Sequence, residues 1–161
     1  MKRIYALYIL LLTFSFNLKC QTYCTTGLYT TGCTVGDNLD DVTLNNLVQT
    51  STGCSPNGYA DYTSDTVQIQ QTAQLVMSVT SGYSSQWYAI WIDNNDDGDF
   101  DDAGEHLWSS AQAGPAANVV YSENIVIPMT ISQGTHRMRM RCKWSGSAIQ
   151  ASESCTSFTY G

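Results

Sequence analysis

Short stretches of alternating apolar and polar residues constrain the fold of this chain more than any other feature. The clearest stretch runs from His136 to Trp144, where apolar and basic residues take turns. The apolar set is Met138, Met140, Cys142 and Trp144, and the basic set is Arg137, Arg139, Arg141 and Lys143. Successive side chains of a strand point to opposite faces, so we expect the apolar set in the core and the basic set in water.

The same pattern recurs along the chain between clusters of Gly, Asn, Ser and Asp, and no sustained helical period of about 3.6 residues is present. The predicted strands are Asp41 to Val48, Asp65 to Gln70, Gln74 to Thr80, Gln86 to Ile92, His106 to Ser110, Asn118 to Ile127 and His136 to Trp144. Parallel strands would need crossover helices, which this pattern does not supply. The sequence therefore predicts an all-β fold, an antiparallel β-sandwich or jelly roll.

The N-terminus has the pattern of a secretory signal peptide, which we predict over residues 1–20 with cleavage directly after Cys20. Lys2 and Arg3 precede the mostly apolar run Ile4 to Phe16, which has 13 residues. A bilayer span needs about 20 apolar residues, so this run does not predict a transmembrane protein. A buried N-terminal strand is one alternative. A lipid anchor on Cys20 is another, which the lysine before it disfavours.

Residues 21–161 have the length of one domain, and their charge is strongly acidic. The whole chain carries 7 basic and 14 acidic residues, a net charge of -7. Removal of the predicted signal peptide leaves four basic residues and a net charge of -10. Such a domain repels phosphates, which argues against binding to nucleic acid.

Five cysteines follow the predicted signal peptide, an odd number that cannot all pair within the chain. An exported protein meets an oxidising environment, so we expect two disulfides. We predict Cys33–Cys54, because similar loop sequences flank both residues, and Cys24–Cys155, which would join the two ends of the domain. Cys142 alternates in phase with the methionines and is predicted to be a small buried hydrophobe, with a reactive thiol as the alternative.

The segment Asp93 to Glu105 holds seven of the 14 acidic residues in 13 positions and predicts a calcium-type loop. Calcium takes six to eight oxygen ligands, which the D-x-N-x-D-G-D pattern supplies at alternate positions, and Gly98 permits a tight turn. The predicted ligands are Asp93, Asn95, Asp97, Asp99 through its carbonyl, Asp101 directly or through water, and Glu105. The glutamate is one position later than in an EF-hand, and the flanks predict strands, so we expect a structural calcium ion at a β connection.

Other interpretations of these residues are weaker. A solvated acidic turn would leave seven neighbouring carboxylates to repel one another. General acid-base catalysis lacks a recognisable nucleophile nearby. A zinc site from Glu105 and His106 is disfavoured because neighbouring strand residues point to opposite faces. The chain has two histidines and neither H-E-x-x-H nor G-x-S-x-G, so we expect no enzymatic activity.

Several sequence blocks, taken together and in this order, closely resemble the GEVED domain family. The blocks are Tyr23-Cys24, Gly58 to Thr63, Trp91 to Asp93 with Asp97 to Phe100 and Ala103 to Glu105, Arg137 to Arg141, and Phe158 to Gly161. The family is named after a terminal G-E-V-E-D motif, and this chain stops at its glycine, so we expect a fragment of a longer protein. The resemblance implies a β-sandwich module of secreted or surface bacterial proteins without established catalytic activity, often beside peptidase or adhesion domains.

The sequence thus predicts a non-catalytic extracellular module, stabilised by calcium and disulfides, that serves adhesion or substrate attachment of a larger protein. Carbohydrate binding is the alternative, with Tyr83 and Trp87 as exposed stacking candidates beside a turn, whereas Trp91 and Trp144 are expected in the core. An accessory role in a secreted peptidase is a weaker possibility. The basic set around Arg139 is expected to be a solvated face, with binding of anionic glycans or pairing with the acidic loop as alternatives. The partner would be an extracellular glycan or protein.

Overall fold

Seven β-strands form the regular structure of the computed structural model, which describes residues 22–144 and 146–161. The strands are β1 (Asp41–Leu44), β2 (Leu47–Gln49), β3 (Gln74–Thr80), β4 (Gln86–Ile92), β5 (His106–Ser109), β6 (Tyr121–Val126) and β7 (Met138–Trp144). Two single 3-10 turns lie at Pro56–Gly58 and Ala151–Glu153. The predicted signal peptide and its cleavage point lie outside the described residues.

The strands form two antiparallel sheets, which confirms the predicted all-β sandwich. The large sheet has the order β2-β1-β3-β6, and the small sheet has the order β5-β4-β7. The main core lies between them and includes Leu75, Met77, Ile90 and Ile125. No helix in the described ranges has the length and apolar character of a membrane span.

Strand β4 is buried on both faces, as its apolar sequence from Trp87 to Ile92 suggests. Tyr88, Ile90 and Ile92 face the main core. Ala89 and Trp91 face outward into a second core cluster, which also holds Phe100, Ile149 and Phe158. This cluster covers the outer face of the small sheet, so the chain segments outside the strands also have a packing role.

Two predicted strands are corrected. The segment Asp41 to Val48 is a hairpin, because Asn45 adopts the left-handed region with φ 48° and Leu44 pairs with Leu47. Within the described residues, the segment Asp65 to Gln70 pairs with no strand; the side chains of Asn45 and Asn46 bind its backbone instead. Asn45 Nδ2 donates to Gln68 O at 3.0 Å, and Asn46 Oδ1 accepts the Gln68 N–H at 3.1 Å. Asparagine side chains thus replace backbone pairing.

The predicted solvated face of β7 is wrong: Arg139 and Arg141 are buried beneath the second core cluster, and Arg137 and Lys143 are half-buried. Arg139 is 8% exposed and Arg141 is 3% exposed. The Arg139 guanidinium lies 4.8 Å from the centre of the Phe100 ring, and that of Arg141 lies 4.2 Å from the Phe158 ring. Burial and the charge of Arg141 lower the pKa of Arg139 to about 10. Both sides of this strand are covered because loop segments pack over the arginines.

Both predicted disulfides, Cys24–Cys155 and Cys33–Cys54, are present. Cys142 is the free cysteine of the described residues and is buried, as predicted. Burial raises the pKa of its thiol to about 12, so the thiol stays protonated at neutral pH. Trp91 is buried as expected, whereas the expectation for Trp144 is wrong. This residue is 38% exposed, because it is the last of β7 and extends beyond the main core.

Candidate metal centre

The acidic loop of residues 93–105 connects β4 to β5, and the small sheet fixes both of its ends. The Ile92 N–H donates to Glu105 O at 2.8 Å, which closes the base of the loop. The Asp93 N–H donates to Arg137 O at 2.9 Å, which joins the loop to the segment before β7. The first and last carboxylates of the loop are therefore held side by side by backbone hydrogen bonds.

Three carboxylates converge in this loop. One oxygen each from Asp93, Asp97 and Glu105 lies within 4.8 Å of the others. Asp93 is 0% exposed and Glu105 is 1% exposed, while Asp97 closes the group from the exposed side. Burial and the charge of Asp93 raise the pKa of Glu105, while N–H donors from Asp102 and Asn94 oppose this rise. The arrangement can hold a metal ion, which would offset the mutual repulsion.

Asp93 carries the most informative atom of the group. Its Oδ2 accepts the Tyr23 hydroxyl at 2.5 Å and the Gly98 N–H at 3.1 Å. Its Oδ1 is buried and has no hydrogen-bond partner among the residues that the structure describes. A buried carboxylate oxygen without a partner is unfavourable, and a cation is the kind of group that would complete it.

Side-chain hydrogen bonds to the backbone wind the loop around this group. Asn95 Oδ1 accepts the Asp97 N–H at 3.1 Å, Asp97 Oδ1 accepts the Asp99 N–H at 3.3 Å, and Asp99 Oδ1 accepts the Asp101 N–H at 2.7 Å. Gly98 has φ 97°, a conformation that favours glycine. These turns explain why short acidic and amide side chains occur at alternate positions.

Three predicted ligands have side chains outside the carboxylate group. Asn95 donates to Asp102 Oδ2 at 2.6 Å. Asp99 uses its carboxylate for the turn, and Asp101 Oδ1 accepts the Ser154 hydroxyl at 3.1 Å. The structure thus brings together Asp93, Asp97 and Glu105 and uses the other side chains to shape the loop.

Tyr23 is the site residue that sequence reasoning missed. It lies 70 positions before Asp93, and its ring packs 5.2 Å from that of Phe100, measured between centres. Burial and the Asp93 carboxylate raise the pKa of Tyr23, so its hydroxyl remains a donor. The one sequence signal for Tyr23 is its position directly before Cys24, because the Cys24–Cys155 disulfide fixes this segment in place.

Ser132, His136 and Asp96 are aligned beside the loop in the order of a hydrolase triad. The His136 Nε2 atom lies 3.0 Å from Ser132 Oγ, and Nδ1 lies 3.0 Å from Asp96 Oδ1. However, the Asp96 side chain is 57% exposed, and Asn94 Oδ1 already accepts the Ser132 N–H at 2.6 Å. We therefore assign these contacts to tying the loop after β6 to the acidic loop.

The part of the chain from Trp87 onward matches one known protein family. The family model of the GEVED domain matches residues 87–161, a range that includes the acidic loop, the buried arginines and the end of the chain. Residues 87–161 are similar to the GEVED domain family. The predicted resemblance is thereby confirmed for this part of the chain. No curated protein and no solved structure matches the chain.

Three aromatic rings form a row at the surface, namely those of Tyr83, Trp144 and Tyr160. Two of them, Trp144 and Tyr160, lie within residues 87–161. The Trp144 ring centre lies 6.1 Å from that of Tyr83 and 5.6 Å from that of Tyr160. Both contacts are edge-to-face, and Tyr83 and Trp144 are exposed. Trp87, the other predicted stacking residue, is half-buried and packs against the second core cluster. Tyr83 therefore has Trp144 as its aromatic neighbour, and Trp144 in turn contacts Tyr160.

Proposed function

We propose that this protein is a non-catalytic extracellular module, stabilised by calcium and disulfides, that serves adhesion or substrate attachment of a larger secreted or surface bacterial protein. The observation that carries the calcium part is the buried Asp93 Oδ1, which has no hydrogen-bond partner in the described part of the chain and lies beside the carboxylates of Asp97 and Glu105. The two disulfides fit an extracellular protein, and the GEVED match supports a small β domain.

Calcium suits this group better than a softer metal. Each of the three converging side chains offers oxygen, and neither histidine belongs to the group. Carboxylates, carbonyls and waters at flexible positions are the ligand set of calcium, whereas zinc prefers nitrogen and sulfur. The ion's role would be structural, because Asp93 also holds Tyr23 and thereby the N-terminal segment.

Calcium is expected to raise the thermal midpoint of the protein. At free calcium roughly a hundred times the dissociation constant, an ion that binds only the folded state adds about 2.7 kcal/mol. For a domain of this size, that corresponds to a rise of about 10 °C over the chelated protein. Calorimetry with calcium and with chelator measures the difference, and Asp97→Ala should lose most of it.

The matched control is Asp102→Ala, which removes another exposed carboxylate of the same loop that lies outside the three-residue group. It should keep most of the calcium-dependent rise. If the thermal midpoint of the parent protein is the same with calcium and with chelator, the calcium assignment is overturned. Equal rises in both variants would show that Asp97 is not a ligand.

Carbohydrate binding is the second candidate function, and the exposed aromatic row supports it. Aromatic faces at a protein surface can stack against the apolar face of a sugar ring. Trp144 adjoins both Tyr83 and Tyr160, and a cavity of about 410 Å³ is lined by Trp144, Tyr160 and the polar Thr159. The adhesion target would then be a glycan.

We expect Trp144→Ala to weaken the binding of any glycan found on an array by at least about tenfold, as loss of a central aromatic contact does. Trp87→Ala is the informative comparison, because Trp87 was the other stacking candidate and lies in the second core cluster. Titration calorimetry on both variants measures the effect. Unchanged affinity in Trp144→Ala would exclude the aromatic row as the binding surface.

A further inference from the structure

The Cys24–Cys155 bridge lies beside a buried cation. The Arg139 guanidinium donates from Nη1 to Cys24 Sγ at 2.6 Å and to Cys155 Sγ at 3.5 Å. Neither of the ion pairs formed by the described residues includes Arg139, so no carboxylate offsets its charge there. A cation beside a sulfur stabilises a thiolate, and a stabilised thiolate is a good leaving group in disulfide exchange. The two ends of the bridge therefore differ: Cys24 is nearer to the cation, and Cys155 is exposed.

The acidic loop holds the residue directly before each of these two cysteines. The Tyr23 hydroxyl donates to Asp93 Oδ2 at 2.5 Å. The Ser154 hydroxyl donates to Asp101 Oδ1 at 3.1 Å. One loop of 13 residues thus fastens both ends of a bridge whose cysteines lie 131 positions apart.

Phe100 of the same loop covers the cation beside the bridge. Its ring is 2% exposed, and its centre lies 4.8 Å from the Arg139 guanidinium and 5.2 Å from the centre of the Tyr23 ring. Disulfide exchange depends on the access of an attacking thiolate to a sulfur. Loosening of the acidic loop would release three contacts around the bridge together, those of Tyr23, Phe100 and Ser154.

We propose that the Cys24–Cys155 bridge is a redox site for an external dithiol, which the acidic loop closes while the loop holds calcium. This inference rests on the calcium site proposed above. An ion at Asp93 Oδ1 would fix the carboxylate whose other oxygen accepts the Tyr23 hydroxyl. It would also order the successive turns of the loop that lead to Asp101 and thereby to Ser154. Loss of the ion releases both contacts and opens the site.

The course of the exchange follows from the positions of the two sulfurs. One thiolate of the dithiol attacks Cys155 Sγ and forms a mixed disulfide, while the bond between Cys155 and Cys24 breaks. Cys24 leaves as a thiolate beside the Arg139 guanidinium. The second thiolate of the dithiol then attacks the reductant's own sulfur in the mixed disulfide, which releases Cys155 as a thiolate. The bridge gains two electrons, the dithiol becomes a disulfide, and its two thiol protons pass to water.

Dithiothreitol is the dithiol used to test this proposal on the oxidised protein. Iodoacetamide traps the thiols freed over time, and peptide mass spectrometry assigns them to either bridge. With calcium at roughly a hundred times its dissociation constant, opening requires release of the ion. We therefore expect the Cys24–Cys155 bridge to be reduced at least about tenfold more slowly than with chelator.

The Cys33–Cys54 bridge is the internal control of the same experiment. It also has one exposed cysteine, Cys54, but the neighbouring Gly53 N–H donates to Asp40 Oδ1, outside the acidic loop. Its rate of reduction should depend much less on calcium. Equal protection of the two bridges by calcium would trace the effect to the global stability of the protein and would overturn the proposal.

A monothiol tests the direction of the exchange. Glutathione in the presence of chelator, with iodoacetamide as the trap, should give mainly a mixed disulfide on Cys155 and an alkylated Cys24. Glutathione found mainly on Cys24 would contradict the leaving-group role that Arg139 gives to Cys24.

A double variant, Tyr23→Phe with Ser154→Ala, separates closure of the site from calcium binding, because neither residue belongs to the three-carboxylate group. It should keep the calcium-dependent rise in thermal midpoint and lose most of the calcium protection of the Cys24–Cys155 bridge. The matched control, Tyr62→Phe with Ser152→Ala, removes the same kinds of hydroxyl at exposed positions and should keep both effects. Full protection in the Tyr23 and Ser154 variant would overturn the proposal.

The thermal midpoint distinguishes failure of this proposal from failure of the calcium site. If calcium raises the midpoint but leaves the reduction rate of the Cys24–Cys155 bridge unchanged, closure by the loop is overturned and the calcium site stands. If calcium changes neither quantity, both proposals are overturned. If the double variant does not fold, the comparison of the two bridges in the parent protein decides the question.

Discussion

Removal of the Cys24–Cys155 disulfide by paired serine substitutions should lower the free energy of unfolding by about 5 kcal/mol. The bridge joins residues 131 positions apart, so its loss releases a very long loop in the unfolded chain. The Arg139 guanidinium also donates to Cys24 O at 2.5 Å, so the covering segment would lose an anchor over the second core cluster. Urea denaturation with circular dichroism measures the loss.

The matched comparison is paired serine substitution of Cys33 and Cys54, which are 21 positions apart. The shorter loop predicts a smaller loss of about 3 kcal/mol. A larger loss from Cys33 and Cys54 than from Cys24 and Cys155 would contradict this ranking. Equal midpoints for the parent and the Cys24 and Cys155 variant would show that the terminal bridge does not stabilise the domain.

Substitution of Arg141 by alanine should lower the free energy of unfolding by about 3–4 kcal/mol. This side chain is buried, lies over the Phe158 ring, and donates to the carbonyls of Glu153 and Leu28. Alanine leaves a cavity between these groups and removes the donors of buried carbonyls. Urea denaturation of the variant and the parent gives the difference.

Lys143→Ala is the control, because Lys143 lies on the same face of β7 but is only half-buried. Its ammonium lies 3.4 Å from Glu153 Oε2, a pair expected to contribute less than about 1 kcal/mol. Arg141→Lys should fall between the two, since an ammonium cannot reproduce the planar fork of donors. Similar losses for Arg141→Ala and Lys143→Ala would show that burial of the guanidinium adds no stability.

The strands with clear alternation were predicted well from the sequence. The bounds of β3 and β4 agree with prediction, and the two disulfides join the cysteines that were paired. The two strand predictions that failed did so for local reasons. Asn45 starts a hairpin turn in the middle of the first predicted strand, and the Asp65 to Gln70 segment is held by asparagine side chains.

The burial of the β7 arginines could not be predicted from alternation, because a period of two residues assigns faces without saying what covers them. The cover comes from distant segments, including Tyr29 and Phe158, which are linked by an isolated parallel bridge. Long side chains with apolar stems and delocalised charge can be buried against aromatic rings, so a basic set does not by itself define a wet face.

The sequence composition located the acidic loop. It could not predict which side chains of the loop converge. Spacing predicted ligands at Asp93, Asp97, Asp99 and Asp101, but it does not say which of their carboxylates meet. In the structure, turn formation uses the Asp99 carboxylate, and Ser154 binds that of Asp101. Tyr23 joins the site through tertiary packing, so no local pattern around Asp93 indicates it.

The position of the Cys24–Cys155 bridge has a mechanical consequence. All seven strands lie between these two cysteines. A pulling force applied to the chain before Cys24 and after Cys155 would pass through the covalent bond and bypass every strand ladder. A domain built in this way would keep its sheets, its acidic loop and its exposed aromatic residues in place under shear.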